Sequence, residues 1–164
     1  MTAPLVRVRN LCKRFGVPPA VVHAVEGVSL DIHRGEAVGL VGESGSGKST
    51  IGRLILRSLD PSEGDIAFEG RDIARISQRE MRPLRRRMQM VFQDPYSSLD
   101  PRMTIGAALL EPFRVQGIRL TRDEARRKID ALLAMVGLDA KLAENHPHQL
   151  SGGQRQRIGI ARAL

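Results

Sequence analysis

Aromatic residues and cysteine are scarce in this 164-residue chain. It has no tryptophan, one tyrosine and four phenylalanines. The densest arginine cluster, "QREMRPLRRRMQM", contains no aromatic residue, which disfavours a base-stacking platform for single-stranded nucleic acid. Cys12 is the only cysteine and cannot form an internal disulfide, so we expect a small packing residue in a reducing compartment.

Long hydrophobic runs and acidic residues are also in short supply. No apolar segment is long enough to cross a bilayer, and the start, "MTAPLVRVRN", has no hydrophobic signal core, which favours the cytoplasm. Lysine and arginine outnumber aspartate and glutamate by 26 to 18, for a net charge of +8. This excess suits nucleic acid, an anionic membrane surface or a protein partner, and it is equally typical of solvated faces.

Hydrophobic periodicity predicts a mixed α/β part followed by a helical part. A helix is expected over residues 49–59, and a second one begins at Thr121, where Glu124 completes a capping box, and stops at Gly137. We expect a nucleotide-binding core with a β subdomain over residues 1–92, a helical segment over 93–149 and a final segment over 150–164. The predicted strands cover residues 5–11, 26–32, 36–42, 65–70 and 87–93.

The stretch "GESGSGKST" fits the phosphate-loop pattern G-x-x-x-x-G-K-[ST] completely. Glycines let a backbone wrap closely around phosphate oxygens, and consecutive amides form an anion-binding nest. The lysine supplies a mobile positive charge, and the following hydroxyl can ligate Mg²⁺. The sequence therefore predicts an ATP site formed by Gly42, Glu43, Ser44, Gly45, Ser46, Gly47, Lys48, Ser49 and Thr50.

Two further stretches identify the family that the chain resembles. "LSGGQ" at residues 150–154 matches the signature sequence of ATP-binding cassette (ABC) proteins, and Gln93 in "MVFQDP" matches their glutamine loop. More narrowly, "RRRMQMVFQDPYSSLDPRMTIG" and "HPHQLSGGQRQRIGIARAL" resemble the ATPase subunits of bacterial oligopeptide, dipeptide and nickel importers. The resemblance implies an α/β P-loop NTPase fold, with a RecA-like core, an antiparallel β subdomain and a helical subdomain.

The resemblance also implies roles for individual residues. Two cassettes of this family pack head to tail, so the signature residues Ser151, Gly152, Gly153 and Gln154 would face ATP held by a partner's phosphate loop. Gln93 would position Mg²⁺ or the attacking water, with Ser49 as a further magnesium ligand. Adenine would stack on an aromatic residue, for which Phe15 is the candidate, with Val22 or His23 as alternatives. Residues 94–103 and the helices after them would receive the permease.

The ABC family has an apolar strand ending in Asp-Glu after the signature helix, and this chain has no acidic residue after Glu144. The catalytic glutamate is therefore absent, and we expect a cassette that is incomplete at its C-terminus, inactive alone and missing central strands of its sheet. Such a gap would expose apolar strand faces.

The expected function is that of the energy-coupling ATPase subunit of a bacterial importer for peptides or nickel. Its expected cofactors are ATP and Mg²⁺. The expected partners are a second cassette, permease subunits and, indirectly, an extracytoplasmic solute-binding protein, at the cytoplasmic face of the inner membrane and without nucleic acid. Two alternatives stay open: a soluble ABC protein acting on nucleic acid or the ribosome, and a non-catalytic remnant.

Overall fold

The computed structural model describes residues 3–94 and 99–164, and the chain forms two compact units, residues 1–88 and 89–164. Within the described residues, no helix combines the length and the apolar character needed to cross a membrane. The first unit contains four strands and two helices: β1 (Val6–Val17), β2 (Ala20–Ile32), α1 (Lys48–Ile55), β3 (Glu63–Phe68), β4 (Arg71–Asp72) and α2 (Gln78–Leu84). The second contains α3 (Ile105–Val115), α4 (Arg122–Met135), two short 3₁₀ helices (Ala140–Glu144 and Pro147–Gln149) and α5 (Gly152–Ala161).

The four strands of the first unit form one antiparallel sheet in the order β2-β1-β3-β4. β1 and β2 form a long hairpin in which Val17 pairs with Ala20 across the turn at Pro18 and Pro19. One face of the sheet packs against α1 and α2. The core between them is built from aliphatic side chains with one phenylalanine and one methionine: Val6, Val8, Leu11, Val25, Ile51, Leu54, Ile66, Phe68, Ile73, Ala74 and Met81.

α1 ends four residues before the predicted boundary because the backbone turns away from the helix at Arg57. This residue adopts a positive φ of 50°, which a continuing right-handed helix does not allow. Its guanidinium is buried and donates from Nε to the carbonyl of Ile73 (2.7 Å) and from Nη2 to that of Ile76 (3.1 Å), and it pairs with Asp60. A buried charge with these partners fixes the end of α1 against the segment that leads into α2.

Two predicted strands, residues 36–42 and 87–93, are not strands in the part of the chain that the structure describes. Most of their apolar side chains are exposed instead, including Val41 (96%) and Phe92 (49%), whereas Met88 and Met90 are half-buried. An apolar run favours a buried strand, but a strand also needs a neighbour for its backbone hydrogen bonds. The described four-stranded sheet includes neither segment.

The second unit is a small helical bundle with its own core, formed by Leu99, Ile105, Ala108, Leu109, Leu132, Leu133, Leu150, Ile158 and Ala161. The predicted helix after Thr121 is confirmed as α4. The Thr121 hydroxyl accepts a hydrogen bond from the backbone amide of Glu124, and the Glu124 carboxylate accepts from the amide of Thr121. These bonds satisfy two amides that a helix start otherwise leaves without partners, so α4 begins at a defined position.

Candidate nucleotide-binding site

The phosphate loop leads directly into α1. Gly47 is the residue before the helix, with a φ of 90°, and Gly45 has a φ of 83°, so both occupy backbone conformations that favour glycine. The amides at the start of an α-helix have no partner within the helix, and no acidic side chain lies in the first turn of α1. The helix dipole and these amides together provide a positive end that can hold anionic oxygens.

The loop lies close against strand β2, and this contact also requires glycine. A Cβ atom built on Gly47 would lie 2.4 Å from the carbonyl oxygen of Ala24 and 3.5 Å from a methyl group of Val25. A Cβ on Gly42 would lie 2.8 Å from the Ser46 hydroxyl. The missing side chains therefore allow the loop to form a tight turn beside β2, and a cradle of this size suits phosphate groups.

The Lys48 side chain folds back over the loop. Its Nζ donates hydrogen bonds to the carbonyl oxygens of Gly42 (2.7 Å) and Glu43 (2.5 Å) and lies 3.3 Å from the Ser46 hydroxyl oxygen. The ammonium group is thus held at the centre of the turn, where an anion in the cradle would meet it. Ser49, the next residue of α1, has an exposed side chain, and that of Thr50 is half-buried.

The β1–β2 hairpin places Phe15 and Val22 side by side. They are directly paired across the two strands and point to the same face, with 41% and 64% of their surfaces exposed. His23 pairs with Arg14, so it points to the other face, and its Nδ1 lies 2.6 Å from a carboxylate oxygen of Glu26. Of the residues considered for a nucleotide base, Phe15 and Val22 share a surface.

The signature residues form the beginning of α5. Ser151 precedes the helix, its hydroxyl accepts from the amide of Gln154 (3.2 Å), and the Gln154 side-chain oxygen accepts from the amide of Ser151 (2.9 Å). Arg155 is buried and donates to the carbonyl of Pro147 (3.0 Å), which ties α5 to the preceding 3₁₀ helix. A hydroxyl that accepts one hydrogen bond can still donate its own hydrogen, so Ser151 keeps the chemistry needed to bind an anion.

The two glycines at the start of α5 are not required by the packing of the described residues. A Cβ on Gly152 or Gly153 would meet no described atom within 4 Å, and both residues are exposed. The absence of side chains at these two positions leaves room for an anionic group to approach from outside and bind the amides at the start of α5.

Arg157 is the residue of this region that sequence reasoning missed. It lines a surface cleft together with Ser151, Gly153 and Gln154, and its Nη1 lies 3.5 Å from the carbonyl oxygen of Gly137. The signal was present in the sequence, because Arg157 follows Gln154 by three residues and therefore shares its helix face. Its charge adds to the positive potential at the start of α5.

Gln93 lies in an irregular, exposed stretch of the second unit, whereas Ser49 belongs to the first. Residues 95–98 of the expected permease-facing segment lie outside the described residues. In the rest of that segment, Asp100 accepts hydrogen bonds from the side chain and backbone of Arg102, and these lower the pKa of the Asp100 carboxyl to about 2.

The sequence of the chain places it in a known family. A model of the ABC transporter family matches residues 25–164, and the chain belongs to this family. Its α/β fold is that of an ABC cassette. The chain is similar to the dimeric ATP-binding cassette MJ0796 in a post-hydrolysis state bound to ADP and Pi, with a TM-score of 0.85 and 32% identity over 97% of this chain and 68% of that one.

Within the family, the chain is similar to ATP-binding proteins of peptide importers. It is 53% identical over 161 residues to a putative peptide import ATP-binding protein of Brucella ovis, covering 98% of this chain and 50% of that protein. It is 45% identical to the oligopeptide transport ATP-binding protein OppF of Bacillus subtilis, covering 100% and 54%. The predicted resemblance to this group is confirmed, and the chain spans about half the length of these relatives.

Proposed function

We propose that the chain is part of an ATP-binding subunit that drives a bacterial peptide importer by binding and hydrolysing ATP. The observation that supports this most directly is the phosphate loop, in which glycines with positive φ, the start of α1 and the Lys48 ammonium group converge on one cradle. Peptides are proposed rather than nickel because the relatives described above are named for peptide import.

Residues 42–50 would bind the phosphates of ATP. The amides at the start of α1 would donate hydrogen bonds to phosphate oxygens, and Lys48 would exchange its bonds to Gly42 and Glu43 for contacts with the β- and γ-phosphates. Phe15 and Val22 would provide an apolar surface for adenine, which suits their exposure and the contact between the loop and β2. Bound Mg²⁺ would offset phosphate charge, with Ser49 and Gln93 as its proposed protein contacts.

The signature end of α5 would bind the γ-phosphate of ATP held by a second cassette. Ser151, Gly152 and Gly153 combine a hydroxyl, free amides and a helix dipole on an exposed surface, and the glycines leave room for an approaching phosphate. The dimeric form of the MJ0796 cassette supports a second cassette as partner, and we propose that the two pack head to tail. Permease subunits and a peripheral position at the cytoplasmic face of the membrane follow from the same proposal.

The first experiment tests ATP binding by replacing Lys48 with alanine. Loss of a charge-assisted contact to phosphate is expected to weaken ATP binding by about 2–3 kcal/mol, which is roughly 30-fold to 150-fold in Kd. The measurement is equilibrium binding of a fluorescent ATP analogue to a full-length subunit with Lys48 and to its K48A variant.

Lys141→Ala is the matched control, because Lys141 is an exposed lysine of the helical unit. It should bind the analogue as the parent does. If K48A and the parent bound ATP equally well, the phosphate-loop assignment would be refuted.

A further inference from the structure

A strongly basic surface lies between β4 and the end of the first unit. The segment Arg71–Arg87, called the arginine segment below, holds seven arginines, two carboxylates and no lysine or aromatic residue. Its net charge is +5, compared with +8 for the entire chain. Most of the excess positive charge of the protein is therefore concentrated in about a tenth of its residues.

One side of the arginine segment is fixed to the body of the protein. Met81 of α2 is fully buried, and Leu84 and Met88 pack against the same core. Arg85 donates to the carbonyl oxygen of Arg57 (3.2 Å), and the Arg87 guanidinium lies 5.4 Å from the centre of the Phe68 ring. The apolar face of α2 is consequently occupied by the protein's own core.

The other side of the segment presents arginines to solvent. Arg79 and Arg82 lie three residues apart in α2, Arg75 precedes this helix and Arg86 follows it, and all four arginines are exposed. The two carboxylates bind within the segment: Asp72 accepts from the amide of Ala74 (2.8 Å), and Glu80 accepts from Ser77. Glu80 also pairs with Arg71 (3.6 Å), and Glu69, just before the segment, pairs with Arg87. The segment nevertheless presents four exposed guanidinium groups to solvent.

We propose that this arginine face binds the anionic headgroups of a lipid bilayer. Guanidinium groups match the geometry of phosphate oxygens, and a cluster of four or more basic side chains on one face is typical of surfaces that bind anionic lipids. Because the apolar residues of α2 point inward, attachment is electrostatic and involves no insertion of the helix. The site lies outside the phosphate loop, so it goes beyond the proposed function and does not require ATP.

The structure favours lipid over the other anionic partners. The segment lacks the aromatic side chains on which nucleic acid bases stack. Between Arg79 and Arg86 the exposed face offers Pro83 but no aliphatic or aromatic side chain to anchor an acidic peptide in a groove. A flat array of phosphate-bearing headgroups needs only the charge and the forked geometry that the arginines provide.

The test is flotation of the 164-residue chain with lipid vesicles in a density gradient. Vesicles of phosphatidylcholine are compared with vesicles that also contain about one-fifth phosphatidylglycerol, at low and at high salt. Flotation separates vesicle-bound protein, which rises, from aggregated protein, which sinks. We expect binding only to the vesicles with phosphatidylglycerol, and loss of that binding at high salt.

Two triple variants locate the binding surface. The first variant replaces three arginines of the arginine segment with glutamine: Arg75, Arg79 and Arg82. The matched control replaces three exposed arginines of the helical unit with glutamine: Arg119, Arg122 and Arg127. The first variant is expected to bind vesicles on the order of a hundredfold more weakly, whereas the control keeps most of its binding. A third variant, with lysines at positions 75, 79 and 82, should bind nearly as well as the parent because it retains the charge.

Three results would overturn the proposal. The first is equal loss of vesicle binding in the two glutamine variants, and the second is equal binding to vesicles with and without phosphatidylglycerol. The third is binding of poly-glutamate or of RNA that depends on Arg75, Arg79 and Arg82 while anionic vesicles do not bind. Each variant's ATP affinity is measured alongside, so a failure of this proposal is distinguishable from a failure of the phosphate loop.

Discussion

At the scale of single residues, the phosphate loop depends on the absence of side chains. Gly47 combines a positive φ with a carbonyl oxygen 2.4 Å from the position of a Cβ atom. An added methyl group would be strained by the backbone conformation and would collide with Ala24. The conformation of this one residue therefore connects the fold of the β1–β2 hairpin with the position of the anion cradle.

Gly47→Ala should therefore reduce ATP affinity at least tenfold, because the loop must move away from β2 to accept the methyl group. Gly52→Ala is the matched control: it lies inside α1 with nothing within 4 Å of the new atom, and it should raise the free energy of unfolding by about 0.5–1 kcal/mol without changing ATP affinity. Nucleotide titration and thermal unfolding of the two variants measure both effects. Equal ATP affinity in the two variants would show that the close approach to Ala24 does not shape the site.

At the scale of elements, the sequence predicts those helices whose ends carry local signals. The capping box at Thr121 and Glu124 located α4 because both partners lie within four residues. The same pattern at Ser77 and Glu80 starts α2, which the sequence reading left out although the signal was present.

The strands expected at 36–42 and 87–93 could not be decided from local sequence. Their apolar runs indicate burial, whereas hydrogen-bonded neighbours depend on distant parts of a chain. The candidate site likewise contains parts that the local sequence predicts and parts that it does not. The turn at Gly45 and Gly47 and the cap at Ser151 follow from short motifs. The pairing of Phe15 with Val22 required the register of the hairpin, which turns at Pro18 and Pro19.

The capping boxes at the starts of α4 and α5 allow a controlled test of the signature helix. Ser151→Arg should leave ATP binding by a single cassette unchanged and should abolish ATP-driven association, because a bulky side chain covers the amides at the start of α5. Thr121→Arg removes the equivalent cap from α4 at a similar cost in helix stability, about 1 kcal/mol, and should leave association intact.

Association is measured by sedimentation of a full-length subunit that carries each substitution, with ATP and with ADP. If Ser151→Arg abolished ATP binding by the monomer, or if both variants associated equally well, the proposed contact with a partner's nucleotide would be wrong.

At the scale of the whole molecule, the two units carry the residues that we propose to bind nucleotide, and hydrolysis sets a further requirement. ATP hydrolysis requires a water that is held in line with the γ-phosphate and polarised by a base. The last acidic residue of the sequence is Glu144, which lies before the signature residues. Val38, Leu40 and Val41 before the phosphate loop are also exposed, as are Val91 and Phe92 next to Gln93. Apolar segments without strand neighbours favour self-association.

A polypeptide of residues 1–164 alone should therefore show no ATPase activity above background and should aggregate readily. A chimera that continues after Leu164 with the corresponding part of the OppF relative should be more soluble and should hydrolyse ATP, since we expect that part to supply strand neighbours and a base. Phosphate release with magnesium ATP is measured for the polypeptide, the chimera and the K48A form of each. Sustained turnover by residues 1–164 that disappears in the K48A control would show that these residues already contain a complete catalytic apparatus.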